Sequence, residues 1–325
     1  MTSFDMAAFN HAADSLFAPD AAHGVSLALV VMQSGEVIAE RYGQQPDTVF
    51  GPGGPIDAES TLVSWSMAKS ITHATVGILV GEGRLQLNEP ASVREWVGTP
   101  KEAITLQNLL NMRPGLLFVE DYVDDAVSHC LEMLYGSGAD DMAAYAAGLP
   151  LIHEPGAEWN YSSGTTNIVA RIVGQAVGGG EAGMTTFLHD RLFEPAGMHS
   201  ALPKFDAAGT FIGSSYVYAT ARDFARFGEL YRCDGVAADG TRVVPTGWRD
   251  HARTFTAHDP DGFDYGAHWW LWPDLPGSLA CHGYEGQYTV VLPDRELVVV
   301  HLGKSPIDRR DVLTDLLRDI FRCAA

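Results

Sequence analysis

Val63-Ser64-Trp65-Ser66-Met67-Ala68-Lys69-Ser70 runs directly into the apolar stretch Ile71-Thr72-His73-Ala74-Thr75-Val76-Gly77-Ile78-Leu79-Val80, so a serine and a lysine enter a segment otherwise fit for burial. Met67, Ala68, Ile71, Ala74, Ile78 and Leu79 recur at helical spacing, and Gly81 and Gly83 end the run. The spacing predicts a helix over 67–80 with Ser66 at or next to its amino end. Residues three apart lie on one helix face, so Ser66 and Lys69 can touch. The positive end of the helix and its free N–H groups favour negative charge developing on Ser66. A lysine on an apolar face is partly desolvated and disposed to take a proton from a serine. These are a candidate nucleophile and a candidate base. Alone, the S-x-x-K spacing arises by chance about once in a chain of this length. Two features strengthen it: lysine occurs only at 69, 101, 204 and 304, and Lys69 falls in the most apolar helix instead of on a charged face.

Upstream, residues 25–42 form two β-rich runs around Gln33-Ser34-Gly35-Glu36, a hairpin signal, and a Gly/Pro-rich stretch separates them from the helix. From about 90 to 200 the pattern is mainly helical, broken by Gly and Pro. After the helical Ala219-Thr220-Ala221-Arg222-Asp223-Phe224, strand-like runs return in His268-Trp269-Trp270-Leu271-Trp272, Gln287–Pro293 and Glu296–Gly303. Asp311–Phe321 then has its apolar residues in helical register. Strands at both ends around a helical insertion predict a single domain, 1–325, of mixed α/β plus all-α class. Its α/β lobe, with a central antiparallel sheet flanked by helices, takes approximately 1–65 and 205–325, and an inserted helical lobe takes approximately 66–204. A site is expected in the cleft between them.

The chain has 325 residues, 46% hydrophobic and 19% charged, the composition of an ordered globular protein. With 41 acidic against 21 basic residues its net charge is −20, which repels phosphate backbones and anionic lipid; neither nucleic acid nor a membrane is an expected partner. The amino terminus carries Asp5 and Asp14 where an export signal would be apolar or basic, and no run reaches about 18 apolar residues, so a cytoplasmic location is expected. Cys130, Cys233, Cys281 and Cys323 are scattered without a C-x-x-C pair and read as reduced thiols. His258, Asp259, Asp261, Asp264 and His268 invite a metal reading but lack ligand spacing, and a turn-rich loop is expected there. No G-x-S-x-G is present, which disfavours a Ser-His-Asp hydrolase. Trp269, Trp270 and Trp272 read as strand core, with one ring available to wall a cleft.

S-x-x-K at the head of a buried helix is the nucleophile motif of serine β-lactamases and penicillin-binding proteins. In the order that family shows, the chain carries SMAKSIT, LNEPASVREWV, ITLQNLLNMRPGL, GAEWNYSSGTTNIVARIVG, LFEPAGM, YATARDFARFGELY, VVPTGW, FDYGAHWWLW and HGYEGQ. Over about 25–303 it resembles the β-lactamase-related serine hydrolases, nearest the class C type and its esterase and 6-aminohexanoate-dimer hydrolase relatives. The resemblance implies a β-lactamase-like fold and an acyl-enzyme on Ser66, without metal or other cofactor, acting on a small-molecule ester or amide. It sets Tyr161, in Asn160-Tyr161-Ser162-Ser163, as a second base whose phenolate Lys69 favours; a packing tyrosine is the alternative. Ser163 stands where the family's Y-x-N motif has Asn, which disfavours β-lactamase activity and leaves esterase or amidase activity intact. The third motif falls on Cys281-His282-Gly283. Either Cys281 takes the family's cationic position or, with a slip of one residue, His282 does. Gly283 permits close approach, and His282, Gly283 and Ser163 are candidate substrate-binding residues. The backbone N–H groups of Ser66 and Tyr284 are the candidate oxyanion hole. Tyr122, in Glu120-Asp121-Tyr122, resembles a tyrosine that contacts the scissile amide; a surface-loop role is the alternative. β-Lactamase or D-alanyl-D-alanine peptidase activity stays open, as does a catalytically silent binding or assembly protein. The oligomeric state is not indicated.

Overall fold

The structure, a computed structural model, describes residues 4–48, 51–122 and 127–324. Strands β1 (Val25–Gln33) and β2 (Glu36–Tyr42) meet at Ser34 and Gly35, both with left-handed φ (51° and 86°), the two-residue turn whose twist matches a hairpin. Further along come β3 (Ala257–His258), β4 (Asp264–Tyr265), β5 (Trp270–Leu271), β6 (Leu279–Gly283), β7 (Gln287–Leu292) and β8 (Leu297–Lys304). Together they form one antiparallel sheet in the order β2-β1-β8-β7-β6-β5-β4-β3, so the first and last of these strands in the chain, β1 and β8, lie side by side, second and third from the β2 edge.

Alternation along these strands separates two cores. Leu29, Val31, Val290, Leu297 and Val299 face helices α1 (Met6–Leu16) and α5 (Arg310–Arg322), meeting Phe9, Leu16, Leu317 and Phe321. Ala28, Val30, Val291, Val298 and Val300 face the opposite way, into a core shared with α2 (Ala68–Gly81), α3 (Ser163–Val177) and α4 (Ala221–Arg232). Helix α2 is buried on every side from Ala68 to Leu79, Lys69 included.

Two stretches differ from the sequence expectation. His268-Trp269-Trp270-Leu271-Trp272 pairs as a strand only at Trp270–Leu271, because His268 turns the backbone to φ 57° and gives its carbonyl to Ser70 Oγ at 2.7 Å. The expected loop 258–268 contains part of a short hairpin, His258 opposite Asp264. Among the described residues no group of His, Cys, Asp and Glu could hold a metal ion, and no helix is long and apolar enough to cross a membrane.

Candidate active site

Leu62–Val63 pairs with Val217–Ala219, and Ser64 extends that hold: its N–H reaches the Val217 carbonyl at 2.9 Å, and its Oγ accepts from the Val217 N–H at 3.1 Å. The chain then enters a 3-10 turn, Trp65–Met67, that leads straight into α2. Trp65 is in the left-handed region (φ 43°), a conformation costing a bulky residue about 1–3 kcal/mol. Ser66, next in line, lines a cavity of about 510 Å³.

Lys69 lies one turn further and is 2% exposed. Its Nζ donates to Ser66 Oγ (2.8 Å), Ser163 Oγ (2.9 Å) and the Ser214 carbonyl (3.1 Å), so each ammonium hydrogen has an acceptor and its burial is compensated. The same Nζ lies 4.8 Å from the centre of the Tyr161 ring.

Ser163 opens α3 behind Ser162, whose Oγ caps the helix by accepting from the Thr165 N–H at 2.9 Å. Ser163 is 1% exposed and is not on the cavity wall, where the sequence reading set it; it lies beneath, between Lys69 and Glu120. Its Oγ–H donates to Glu120 Oε1 (2.6 Å) and its N–H to Glu120 Oε2 (2.7 Å). With that hydrogen turned to Glu120, the Ser163 oxygen offers Lys69 a lone pair. Glu120 Oε1 also accepts from Tyr122 Oη at 2.8 Å, and Tyr122 lines the cavity.

Tyr161 lines the cavity beside Ser66. Burial raises the phenol above its usual range; the Lys69 charge pulls it back, Glu120 raises it again, and bonding to Ser66 and Lys69 lowers it. The net direction is upward, burial opposing the lowering that the Lys69 charge gives.

Strand β6 turns the two candidates of the third motif to opposite faces. Cys281 points into the core with α2, 1% exposed, its thiol pushed up to about 12 by burial. His282 takes the other face and lines the cavity. Its ring stacks on Trp270 (centroids 5.0 Å apart, 6° between planes), and its Nε2 accepts from Trp272 Nε1 at 3.0 Å. Burial, and secondarily the Arg310 charge, holds the imidazole well below its usual range. A thiol carries no positive charge, and His282 Nε2 holds no proton while it accepts from Trp272 Nε1. Gly283 comes so near the turn that carries Ser66 that a Cβ would lie 2.4 Å from the Ser64 carbonyl oxygen. Tyr284 follows at the cavity wall, edge-on to Trp65 (5.9 Å, 87°). Of the tryptophan trio, Trp270 walls the cavity, while Trp269 and Trp272 are fully buried.

Ser66, Tyr161, Tyr122, His282, Gly283 and Tyr284 are thus brought to one cavity, with Lys69 and Ser163 under its floor. Sequence reasoning gave no role to Glu120; its only signal was the neighbouring Tyr122. A buried lysine bonded to a serine at a helix head, under an aromatic-walled cleft on an antiparallel sheet, defines a class of hydrolase, and the comparisons agree. The Beta-lactamase family model matches residues 13–320, and the chain belongs to that family. It is similar to a 6-aminohexanoate-dimer hydrolase of Paenarthrobacter ureafaciens, 29% identical over 86% of this chain and 72% of that one. A solved Bacillus anthracis structure ascribed the same activity superposes with a TM-score of 0.75 at 22% identity, covering 91% of this chain and 78% of that one. A family VIII carboxylesterase superposes with a TM-score of 0.73 at 16% identity, covering 99% and 98%. The protein is a β-lactamase-fold hydrolase.

Proposed function

We propose that the chain is a serine hydrolase that cleaves a small-molecule ester or linear amide through an acyl-enzyme on Ser66. The observation that carries this reading is the 2.8 Å bond between Lys69 Nζ and Ser66 Oγ at a cavity of about 510 Å³. The substrate carbonyl lies against Ser66 Oγ with its oxygen toward the backbone N–H groups of Ser66 and Tyr284, where negative charge develops. As Ser66 Oγ attacks, its proton passes to Lys69, which has first released one ammonium hydrogen to solvent and on regaining it has the same three acceptors in place. Tyr161 gives its own phenolic proton to the leaving group and is resupplied through Lys69. Water then attacks the Ser66 ester; its proton returns along the same pair and the acid departs. The similarity to a 6-aminohexanoate-dimer hydrolase and a carboxylesterase supports ester or linear amide over β-lactam, as does Ser163 in place of an asparagine.

The test compares wild type and Ser66→Ala on a p-nitrophenyl ester, a linear amide dimer and a chromogenic cephalosporin, with intact mass recorded during turnover. Expected are ester or amide cleavage by wild type, a mass increase equal to the acyl group, and loss of both in Ser66→Ala. Cleavage that survives the substitution would refute the mechanism.

A further inference from the structure

Two non-glycine residues with left-handed backbones flank the cavity where the reacting carbonyl would lie. Trp65 (φ 43°) immediately precedes Ser66, and Glu285 (φ 60°) immediately follows Tyr284. They are 220 positions apart, yet their side chains meet: Trp65 Nε1 donates to Glu285 Oε2 at 3.3 Å. The same carboxylate oxygen accepts from Lys304 Nζ at 3.1 Å, which anchors it to the end of β8. The Trp65 ring also stands edge-on to Tyr284. Each strained residue thus adjoins one of the two amides assigned to the oxyanion, and one bond joins the strained pair. Strain of this kind persists only where surrounding contacts over-determine it, and here the contacts run from one half of the candidate oxyanion hole to the other.

We propose that Trp65 and Glu285 are positioning residues that fix the separation of the Ser66 and Tyr284 backbone amides. The proposal rests on Ser66 being the nucleophile. Trp65 and Glu285 do not take part in proton transfer; they hold two donors on different segments at the spacing a tetrahedral oxyanion needs. Such a device acts on the transition state more than on the bound ester, because the oxygen carries full charge only there.

Trp65→Phe keeps the ring against Tyr284 and removes the N–H. Glu285→Ala removes the acceptor. Glu285→Gln keeps one oxygen, which suffices because Oε2 alone receives both bonds. With p-nitrophenyl butyrate, Trp65→Phe and Glu285→Ala should each lower kcat about 10- to 100-fold with KM changed less than about threefold, while Glu285→Gln stays within about threefold of wild type. The double variant Trp65→Phe/Glu285→Ala should be no slower than the slower single, because both remove the same link. Affinity for a trifluoromethyl ketone, whose adduct places an oxyanion in the hole, should fall in parallel with kcat. Losses that multiply in the double variant, unchanged ketone affinity, or a KM effect as large as the kcat effect would each overturn the proposal. Should Glu285→Ala fail to fold, Trp65→Phe and Glu285→Gln still decide between these outcomes. Activity that survives Ser66→Ala would remove the mechanism and this proposal together. Ser66-dependent activity indifferent to Trp65→Phe would remove this proposal alone.

Discussion

Glu120→Gln changes the site by one atom's chemistry and almost no volume. Both Glu120 oxygens act as acceptors: Oε1 from Ser163 Oγ (2.6 Å) and Tyr122 Oη (2.8 Å), Oε2 from the Ser163 N–H (2.7 Å). A glutamine must place its NH2 on one side or the other. On the Oε2 side it faces a backbone N–H that cannot turn away. On the Oε1 side the Ser163 hydroxyl must rotate to accept, and its hydrogen then points at Lys69. That orientation turns a hydrogen, in place of a lone pair, toward Lys69 Nζ across the 2.9 Å Nζ–Oγ contact and removes one of the lysine's three acceptors. A hydrogen bond to a charged group is worth about 1.5–3 kcal/mol, which corresponds to about a 10- to 150-fold lower acylation rate at 1.36 kcal/mol per decade. The assay is single-turnover release of p-nitrophenol under saturating ester, beside thermal unfolding to establish that the variant is folded. Ser163→Ala and the double variant complete a cycle whose coupling should be large, since the two side chains act on Lys69 as one unit. A folded Glu120→Gln enzyme acylating at the wild-type rate would refute the argument that Glu120 orients Ser163 toward Lys69.

Tyr161→Phe should slow ester cleavage about 10²- to 10⁴-fold, the usual contribution of a positioned acid–base group, and a near-normal rate would mean that Lys69 delivers the proton unaided. Gly283→Ala places a methyl 2.4 Å from the Ser64 carbonyl oxygen; about 1–3 kcal/mol of destabilisation is expected on urea unfolding, together with loss of turnover, and wild-type behaviour in both would contradict the close approach. His268 and His301 are buried and neutral, lowered by burial to about 3 and about 4 respectively. Both fall below the unfolded value near 6.5, so the unfolded chain binds the extra protons. Stability is therefore lost as pH falls below about 6.5, by up to about 1.4 kcal/mol per pH unit for each histidine. The urea midpoint should drop steadily from pH 6.5 to pH 4.5; a flat midpoint over that window would exclude buried neutral histidines.

Ser66 and Lys69 were legible because their relation is local: a three-residue offset on a helix is a contact whatever the rest of the chain does. The sheet was legible for a similar reason, since Leu29 and Val31 alternate with Ala28 and Val30 on a strand buried on both faces. The partner of Ser163 was not, because Glu120 lies 43 positions away in a segment with no periodic pattern. The face taken by Cys281 and His282 was also hidden. Alternation says that the two point oppositely, but only the neighbours of β6 decide which one meets the cavity. In His268–Trp272 propensity favoured a longer strand than formed, since no property of a histidine announces φ 57°. The surroundings of Tyr161 were legible only in part: the charge of Lys69 was visible in sequence, while the burial that opposes its effect on the phenol was not.

These limits bear on how the departure at Ser163 is understood. Taken one position at a time, a serine in place of the family's asparagine is a loss of function. In the folded chain the same serine is one member of a pair. A hydroxyl has one hydrogen, and Glu120 takes it; the oxygen's remaining lone pairs are then free to receive Lys69. An asparagine amide at that point would carry two donors and one acceptor, and would lie between an ammonium that only donates and a carboxylate oxygen that only accepts. It would need its oxygen on Lys69 and its NH2 on Glu120, in a space 1% exposed and sized for a hydroxymethyl group. The substitution and the glutamate therefore belong to one arrangement, in which the floor beneath the cavity holds a fixed acceptor for Lys69. On the proposed mechanism, that arrangement leaves in place the Lys69 contact through which Ser66 would form its acyl-enzyme.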